Sequence, residues 1–564
     1  MTPADETRPP APTTAGTPSP ASPASPGPPE PGSAGPGGTA DPAETRSGDP
    51  LPAAASPAGP TPAGPTPVRP TTPVRPTTPA RPTVRLGGFA LAVLVALTAL
   101  TMLLGYANKT RCVGPEFDHA GRSAPDYDVR KDRDLCYTDI QHLWLGREIN
   151  EHRFPYLHGG ITPTGTLTGG TVEYPVLTGV LMWLGALPAH TDADFLRYSA
   201  LLLAPFGLLV GWLLGRLSGW RALIWAIGPP LLLYAFHNWD LPAVACAVAA
   251  VAVLHARGGP ADRAELVRRG SWAGVLLGLG FAVKLYPGAF VLPLALYVLT
   301  GGPNGRPRRA GGRALDWAGA LRVVAASAGT VILVNLPFAL LGYQGWRASF
   351  TFQELRKVDL TTNSIWYWGF RPYSEPKDAP FQALVDWVSP TLVLLSFALA
   401  AGIGWRRHRR GQVAGGYPWV QVSAAMLAGF LLLHKVHSPQ YALWLVPFFV
   451  LLRIRWGWVA AYLVADLAIG LGIFRLFYAV HSGVGIDVLN GLAAQAVIVG
   501  VWGRAALLVA LFGVFLGAAV TFRTGWGPGG STGAAGSAGP GGSARSAPGE
   551  DGLLEVSDPR RAAV

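Results

Sequence analysis

The feature that most constrains this chain is a succession of long apolar runs between Leu86 and about Phe522. Many of these runs approach the roughly 20 residues that an α-helix needs to cross a bilayer. Both ends of the chain lack large apolar side chains almost entirely. The pattern therefore predicts an all-α polytopic membrane protein, with a transmembrane domain over 86–523 and disordered tails over 1–85 and 524–564.

The amino-terminal tail is rich in Pro, Ala, Thr and Gly and contains the repeat "PVRPTTPVRPTTPARPT". Such a segment has too little apolar surface to form a core, so we expect it to be extended, with polyproline character. Two interpretations remain open. The tail is a cytoplasmic docking segment for proline-binding modules, or it is an unselective spacer.

The formal net charge of +12 does not indicate nucleic-acid binding, because the arginines lie in short loops between apolar runs. There they act as topology signals that mark the cytoplasmic side. They place both termini in the cytoplasm and predict about twelve spans in a plasma-membrane protein. The predicted spans cover 86–106, 195–215, 221–236, 241–256, 271–284, 287–300, 319–342, 386–405, 416–433, 439–453, 456–479 and 494–520.

Two segments fit this topology only with irregular helices. The stretch 271–300 has to cross twice, with short helices broken at Pro287. Residues 174–188 have to form a re-entrant or surface helix in the first outer loop. Non-helical backbone at membrane depth is tolerated where it lines a cavity within the protein.

With this topology, the unusual polar stretches all fall on the outer side. Their convergence predicts an outward-facing polar cavity built by several helix ends. The stretches are "CYTDIQHLW" (136–144), "VEYPVLTG" (172–179), "HNWD" (237–240), "KLYP" (284–287), "TTNSIWYWGFRPY" (361–373) and "HKVHSPQY" (434–441).

Three carboxylates in these stretches are candidate functional groups. Asp139 is the best placed general base, although Asp also favours helix starts and Asp139 fits a cap equally well. Glu173 is a second carboxylate candidate for substrate binding. Asp240 is either a substrate-binding residue or the cap of a helix that starts at Leu241.

The candidate cations and donors lie in the later stretches. Lys284 has apolar neighbours and suits an anionic phosphate, or it snorkels to the membrane surface. His434, Lys435 and His437 offer positive charge or hydrogen-bond donors, or they form a solvated turn. We also assign His237 and Gln440 to the predicted substrate site from their place in "HNWD" and "HKVHSPQY".

Aromatic side chains accompany the polar groups. Trp366 and Tyr367 are candidates for stacking on the apolar face of a sugar ring. Interface belts also enrich Trp and Tyr, so a purely structural role stays open.

No metal or nucleotide cofactor is predicted. Asp-x-Asp occurs at 126/128, 132/134 and 192/194, a spacing that can hold a nucleotide-bound metal, but it is expected by chance in an acidic loop. Neither a P-loop, nor zinc spacing, nor a Gly-rich dinucleotide loop is present. Cys112 and Cys136 lie 24 residues apart on the oxidising side, where a disulfide would stabilise the loop by roughly 3 kcal/mol.

These groups fit one reaction. A lipid-linked sugar phosphate leaves behind an anionic phosphate that needs cations such as Lys284 and the 434–437 cluster. The acceptor hydroxyl is a poor nucleophile, so Asp139 takes its proton. One base opposite a departing phosphate implies direct displacement with inversion, driven by the lipid phosphate bond without ATP or a metal.

The stretches "YTDI", "EYPVLTG", "HNWD", "KLYP", "NSIWYWGFR" and "HKVHSPQY" together resemble actinobacterial glycosyltransferase family 87, over roughly 86–520. The resemblance implies the GT-C fold, a polyprenyl-phosphate-mannose donor, an α-mannosyl product and a glycolipid or lipoglycan acceptor. It also implies an aspartate base in the first outer loop, which is Asp139 here. A histidine near the donor phosphate maps to His437 or His434.

Two other classes of protein remain as rivals. A transporter would need polar groups along a path open to both faces, and Asp466, Arg475 and Arg504 are the only candidates in the late helices. A non-catalytic scaffold in envelope assembly would depend on the Pro-rich tail.

Overall fold

The computed structural model describes residues 86–255, 259–305, 314–413 and 415–522. The predictions for the tails 1–85 and 524–564 therefore lie outside the described residues. So do several of the arginines that marked the cytoplasmic side, among them those at 257 and 306–313.

The described residues are mostly helical. The helices, in chain order α1 to α20, are Gly88–Thr110, Tyr127–Arg133, Asp139–Gly146, Val176–Ala186, Asp192–Ser218, Leu223–Ala226, Pro229–Tyr234, Leu241–His255, Arg263–Val283, Tyr286–Ala289, Val291–Leu299, Trp317–Leu341, Tyr343–Leu355, Ile365–Gly369, Arg371–Ser374, Ala379–Arg409, Trp419–Leu433, Ala442–Leu451, Trp456–His481 and Leu492–Gly517. Two small antiparallel hairpins lie between α1 and α4, with strands β1 to β4 at Glu116–Phe117, Ser123–Ala124, Gly160–Ile161 and Leu167–Thr168.

Within the described ranges, seven helices are long and apolar enough to cross a membrane. They are α1, α5 with its continuation to Ala226, α9, α12, α16, α19 and α20. Helix α12 has the most exposed apolar surface of the seven. Only 11% of its apolar stretch is buried inside the protein, and Leu333 is 74% exposed. Exposed apolar surface on this scale marks a membrane contact. The chain is an all-α, multi-pass membrane protein.

Shorter apolar helices occupy the segments for which the sequence predicted either a single span or broken helices. The prediction of one continuous span over 221–236 is wrong, because a 3₁₀ turn, α6 and α7 divide this segment. The division falls at Gly228-Pro229-Pro230, where proline ends a helix and opens the next one at its first position. Around Pro287, α9 ends at Val283 and α10 and α11 follow. Residues 176–186 form the separate helix α4 in the first long loop.

Small residues allow close packing between α9 and α12. A Cβ added at Gly274 would lie 2.7 Å from the carbonyl oxygen of Val323, and one at Gly278 would lie 2.7 Å from that of Ser327. This four-residue spacing of glycines lets two membrane helices approach to backbone contact. The contact fixes α9, whose carboxyl end presents Lys284.

Several helix ends meet in the region of the predicted polar cavity. Helix α3 begins at Asp139, α8 begins directly after Asp240, and α9 ends directly before Lys284. Helix α17 ends directly before His434. The side chains at these ends form the candidate site.

Candidate active site

The loop before α3 is fastened to the segment that precedes α8. Thr138 is the N-cap of α3 and accepts a hydrogen bond from the Ile140 amide. Its hydroxyl also donates to the carbonyl of Phe236 at 2.6 Å, and the Asp139 amide donates to the carbonyl of His237 at 2.8 Å. Because Thr138 caps the helix, the carboxylate of Asp139 is left for other contacts.

The Asp139 carboxylate accepts two side-chain hydrogen bonds. Tyr137 Oη donates to Oδ1 at 2.7 Å, and Asn238 Nδ2 donates to Oδ2 at 2.5 Å. Burial raises the pKa of this carboxyl, but His237, the two hydrogen bonds and Lys284 outweigh that effect, so the pKa lies below its ordinary value. The residue as a whole is only partly buried.

Asn238 joins the base to the buried cation Lys284. Its Oδ1 accepts a hydrogen bond from Lys284 Nζ at 2.8 Å, while its Nδ2 group also contacts Tyr174 Oη at 2.8 Å. Only 1% of Asn238 is exposed, so its amide is held by these partners. The carboxylate and the ammonium group are thus separated by a single amide.

Lys284 lies between aromatic and acidic neighbours. Its Nζ is 4.2 Å from the centroid of the Tyr174 ring, where a cation is attracted to the π face. It is also 3.8 Å from Asp240 Oδ1. Asp240 Oδ1 accepts a hydrogen bond from Trp444 Nε1 at 2.8 Å, so the Asp240 carboxylate serves this network and not a helix cap. Burial raises the pKa of Asp240, and Lys284 partly offsets it.

A stack of three aromatic rings continues the network toward the last predicted stretch. Trp444 stacks on Tyr286, with ring centroids 4.3 Å apart, and on Tyr441 at 3.9 Å. Tyr441 in turn meets the His437 ring edge-on at 5.5 Å. The "HKVHSPQY" segment is therefore joined to Asp240 through Trp444.

The 434–437 segment supplies neutral imidazoles and a paired lysine. Burial lowers the pKa of His434 to about 4 and that of His437 well below its ordinary value. Lys435 forms an ion pair with Asp386 at 2.7 Å. The cluster thus offers no free cation near pH 7, and only its hydrogen-bonding capacity remains.

His437 differs from the other residues of that segment in its burial and hydrogen bonding. It is 1% exposed, and within the described residues neither of its ring nitrogens has a hydrogen-bond partner. Its backbone amide donates to the carbonyl of Thr362, which fixes the turn. A buried imidazole with both nitrogens unpaired calls for a missing partner such as water or a ligand.

Glu173 and His237 lie beside the Asp139–Asn238–Lys284 network without a side-chain contact to its polar atoms. Arg147 holds Glu173 through two hydrogen bonds, at 2.7 and 3.0 Å. The His237 ring lies 5.4 Å from that of Tyr137. Burial and Lys109 lower the pKa of His237 to about 3.

The remaining predicted residues are mainly packed. Trp366 and Tyr367 are 9% and 1% exposed and belong to an apolar cluster with Val385 and Ile473. Trp366 Nε1 donates to the carbonyl of Leu433 at 2.8 Å. Gln440 is 3% exposed and accepts a hydrogen bond from Ser438. This structure gives the two aromatic rings a packing role, with their faces covered.

Sequence reasoning passed over Tyr137, Tyr174, Asn238 and Arg356 as candidate functional residues. The first three lie inside stretches that were singled out, but their roles depend on contacts between segments distant in the chain. Arg356 lies in the loop after α13, is partly buried, and influences both His434 and Tyr441 electrostatically. It forms no ion pair within 4.0 Å in the described part of the chain.

The Asp-x-Asp pairs have structural partners, and the described residues contain no group of His, Cys, Asp or Glu suited to a metal. Asp192 pairs with Arg122 at 3.2 Å, Asp132 pairs with Lys131 at 3.2 Å, and Asp194 accepts from Thr191 Oγ1 at 2.9 Å. Cys112 and Cys136 form a disulfide that closes the loop leading to Tyr137 and Asp139.

Comparison with known proteins yields a weak structural similarity. No protein-family model matches the chain, and neither does any curated protein. Among solved structures, ArnT from Cupriavidus metallidurans bound to undecaprenyl phosphate matches with 15% identity and a TM-score of 0.35, over 76% of this chain and 78% of that chain. A similarity of this size is too low to transfer either a fold or an activity.

Proposed function

We propose that this protein is a membrane glycosyltransferase of the GT-C type. In this proposal it moves mannose from a polyprenyl-phosphate donor to a glycolipid or cell-envelope glycan on the outer face of the plasma membrane. The supporting observation is the hydrogen-bonded chain from Asp139 through Asn238 to Lys284. A proton acceptor and a cation are held one amide apart, and the residue that carries the carboxylate is only partly buried.

The proposed reaction is a single displacement. The acceptor hydroxyl transfers its proton to Asp139 as its oxygen bonds to the anomeric carbon. The bond between that carbon and the phosphate oxygen breaks, and the lipid phosphate leaves with the electron pair. Attack opposite the leaving group inverts the anomeric configuration. No step in this scheme is assigned to a metal or nucleotide.

The leaving phosphate needs compensating charge and donors. Lys284 is a buried cation joined to the base through Asn238, and Arg356 is a second cation whose charge acts on His434 and Tyr441. His437 adds an unpaired ring N–H, which suits a phosphate oxygen. In this proposal the 434–437 segment contributes a neutral donor. The scheme drawn from the sequence had counted this segment among the cations.

The lowered pKa of Asp139 keeps its carboxylate ionised but also makes the carboxylate a weaker base. A weaker base suits a displacement in which the sugar–phosphate bond is largely broken before the proton moves. Tyr137 and Asn238 hold the carboxylate oriented until the acceptor hydroxyl approaches.

The direct test is transfer by the purified full-length protein. Radiolabelled polyprenyl-phosphate mannose and an envelope lipid extract are the substrates, and the mass of the labelled product identifies the acceptor. We expect label to move into a glycolipid with release of polyprenyl phosphate. Donor that stays intact with every extract and with other polyprenyl-phosphate sugars would refute the proposal.

One observation favours a transporter as the second candidate. Asp466 in α19 and Arg504 in α20 are 1% and 2% exposed, and Asp466 Oδ1 and Arg504 Nη1 have no hydrogen-bond partner among the described residues. Buried charges inside a helix bundle often mark an ion or proton path. Uptake of labelled lipid or solute by proteoliposomes, without sugar transfer, would establish this alternative.

A further inference from the structure

A cavity lies at the opposite end of the helices from Asp139. Helix α8 starts beside Asp240 and ends at His255, and its 15 residues at a rise of 1.5 Å separate the two ends by about 21 Å. Helix α17 likewise starts at Trp419 and ends beside His434. His255 and Trp419 both line this cavity, which has a volume of about 650 Å³. It is independent of the proposed transfer site.

The cavity is basic. Arg407 and Arg453 line it, and its described lining residues include neither Asp nor Glu. Arg221 adds positive charge nearby, since its guanidinium donates to the carbonyls of Phe449 and Leu452, next to Arg453 in the chain. The described lining of the cavity therefore carries positive charge.

His255 has a ring nitrogen that makes no hydrogen bond to the described residues. Its Nε2 accepts a hydrogen bond from Trp419 Nε1 at 3.0 Å, so the proton of the neutral ring resides on Nδ1. The side chain is 5% exposed, and Nδ1 has no partner in the described ranges. The buried hydroxyl of Tyr297, another lining residue, also lacks a partner there. Buried donors left unpaired are costly, which indicates a missing acceptor.

We propose that this cavity binds the phosphate group of an anionic ligand, either the headgroup of an anionic phospholipid or a free phosphate. Arginine matches phosphate oxygens with paired N–H donors. The imidazole of His255 and the hydroxyl of Tyr297 supply donors deeper in the cavity. The bound phosphate joins the end of α16, which carries Arg407, to the Arg453 segment before α19, and so stabilises the bundle at this end.

Thermal unfolding of the full-length protein in a neutral detergent tests the proposal. The probes are phosphatidic acid, phosphatidylcholine and sodium phosphate, the last against sodium chloride at equal ionic strength. We expect a saturable rise in Tm with phosphatidic acid or phosphate and none with phosphatidylcholine. A rise with phosphatidic acid alone identifies a lipid headgroup site, and a rise with sodium phosphate identifies a free-anion site.

Charge-matched variants test whether binding depends on this cavity or on the overall positive charge of the protein. R407Q/R453Q removes two lining arginines, whereas R410Q/R455Q removes two exposed arginines that do not line the cavity. We expect the apparent Kd of the effective probe to rise at least about tenfold in the first variant only, the effect of losing charge-assisted hydrogen bonds. H255N, which replaces the ring donor, should also weaken binding.

Two results would overturn the proposal. One is the absence of a saturable shift with phosphatidic acid and with phosphate. The other is equal weakening by the two arginine pairs. If R407Q/R453Q unfolds at a lower temperature, retention of phosphatidic acid measured by native mass spectrometry replaces the thermal readout, with R407K/R453K as the variant that keeps the charge. Equal retention by all variants would contradict the assignment.

Discussion

At the scale of single residues, the ionisation and orientation of the side chains in the site depend on their hydrogen bonds and on nearby charges. Asp139 is separated from Asn238 by 99 positions in the chain, yet the two are joined by a hydrogen bond. Asn238 aligns a carboxylate and an ammonium group without carrying charge. Its conversion to a charged residue should therefore alter the ionisation of Asp139 more than the packing around it.

Replacing Asn238 with Asp puts a second carboxylate against Asp139. Like charges at this distance raise the pKa of one member of the pair. In the native protein Asp139 is ionised throughout the range above about pH 5, because its pKa lies below the ordinary value of about 3.9. The native pH–rate profile should show no acid limb from Asp139 between about pH 5 and 8, whereas N238D should acquire one.

The profile of kcat/KM against pH measures this difference. N238S, which removes the amide without adding charge, is the matched control and should lower the rate without moving the acid limb. An acid limb at the same pH in the native protein and N238D would show that Asp139 is not the titrating base.

Lys284 and Asp240 form the second prediction at this scale. K284M leaves the fully buried Asp240 without its counter-charge, and removing one member of a buried pair costs on the order of 3 kcal/mol. The double variant D240N/K284M has no unpaired charge and should recover most of the lost thermal stability. Equal destabilisation by K284M and the double variant would mean that the pair is not coupled.

Sequence reasoning singled out Asp139, Lys284 and His437 as candidates because ionisable groups beside apolar runs are conspicuous. It did not reveal their partners. Tyr137, Tyr174 and Asn238 are polar but uncharged, and their roles depend on side-chain geometry across segments distant in the chain. The charge state of His434 and His437 was likewise inaccessible, because it depends on burial in the folded protein.

At the scale of elements, the candidate site is a meeting of helix ends. Such ends are visible in the sequence as transitions from apolar to polar residues, which is why the relevant stretches were found. The break in the predicted span 221–236 was also signalled, by Gly228-Pro229-Pro230, but a hydropathy pattern alone does not show that a span is interrupted.

The disulfide between Cys112 and Cys136 acts at this scale. It closes a loop of 24 residues and should stabilise the folded first loop by about 3 kcal/mol in the loop-entropy model. C112S/C136S should therefore lower the Tm and increase amide hydrogen exchange across 113–138. Unchanged exchange at Tyr137 and Asp139 would show that the disulfide does not restrain the segment that presents the base.

At the scale of the whole molecule, the membrane class follows from the apolar runs with little ambiguity. Length and composition suffice to identify helices such as α1, α12 and α20. The count of spans is harder to derive, since α8, α11, α17 and α18 are short and packed inside the bundle. Which end faces outward rests on the arginine distribution, and that remains a prediction.

Cysteine labelling tests the predicted orientation. In a C246A background, Thr164→Cys places a thiol in the turn of the β3–β4 hairpin, in the loop that contains Asp139. Arg410→Cys places one at the opposite end, and both native residues are exposed. A membrane-impermeant maleimide should label Thr164→Cys in intact cells and Arg410→Cys only after permeabilisation. The reverse pattern would place the candidate site on the cytoplasmic face.

The most direct measurement of the central claim compares sugar transfer by the native protein, D139N and D128N. D128N is the matched control, because Asp128 lies in the same loop with an 80% exposed side chain. Loss of a general base predicts a fall in kcat of roughly 10²–10⁴-fold for D139N, with an unchanged Tm and near-native turnover for D128N. Native turnover by folded D139N would contradict the assignment of Asp139 as the base.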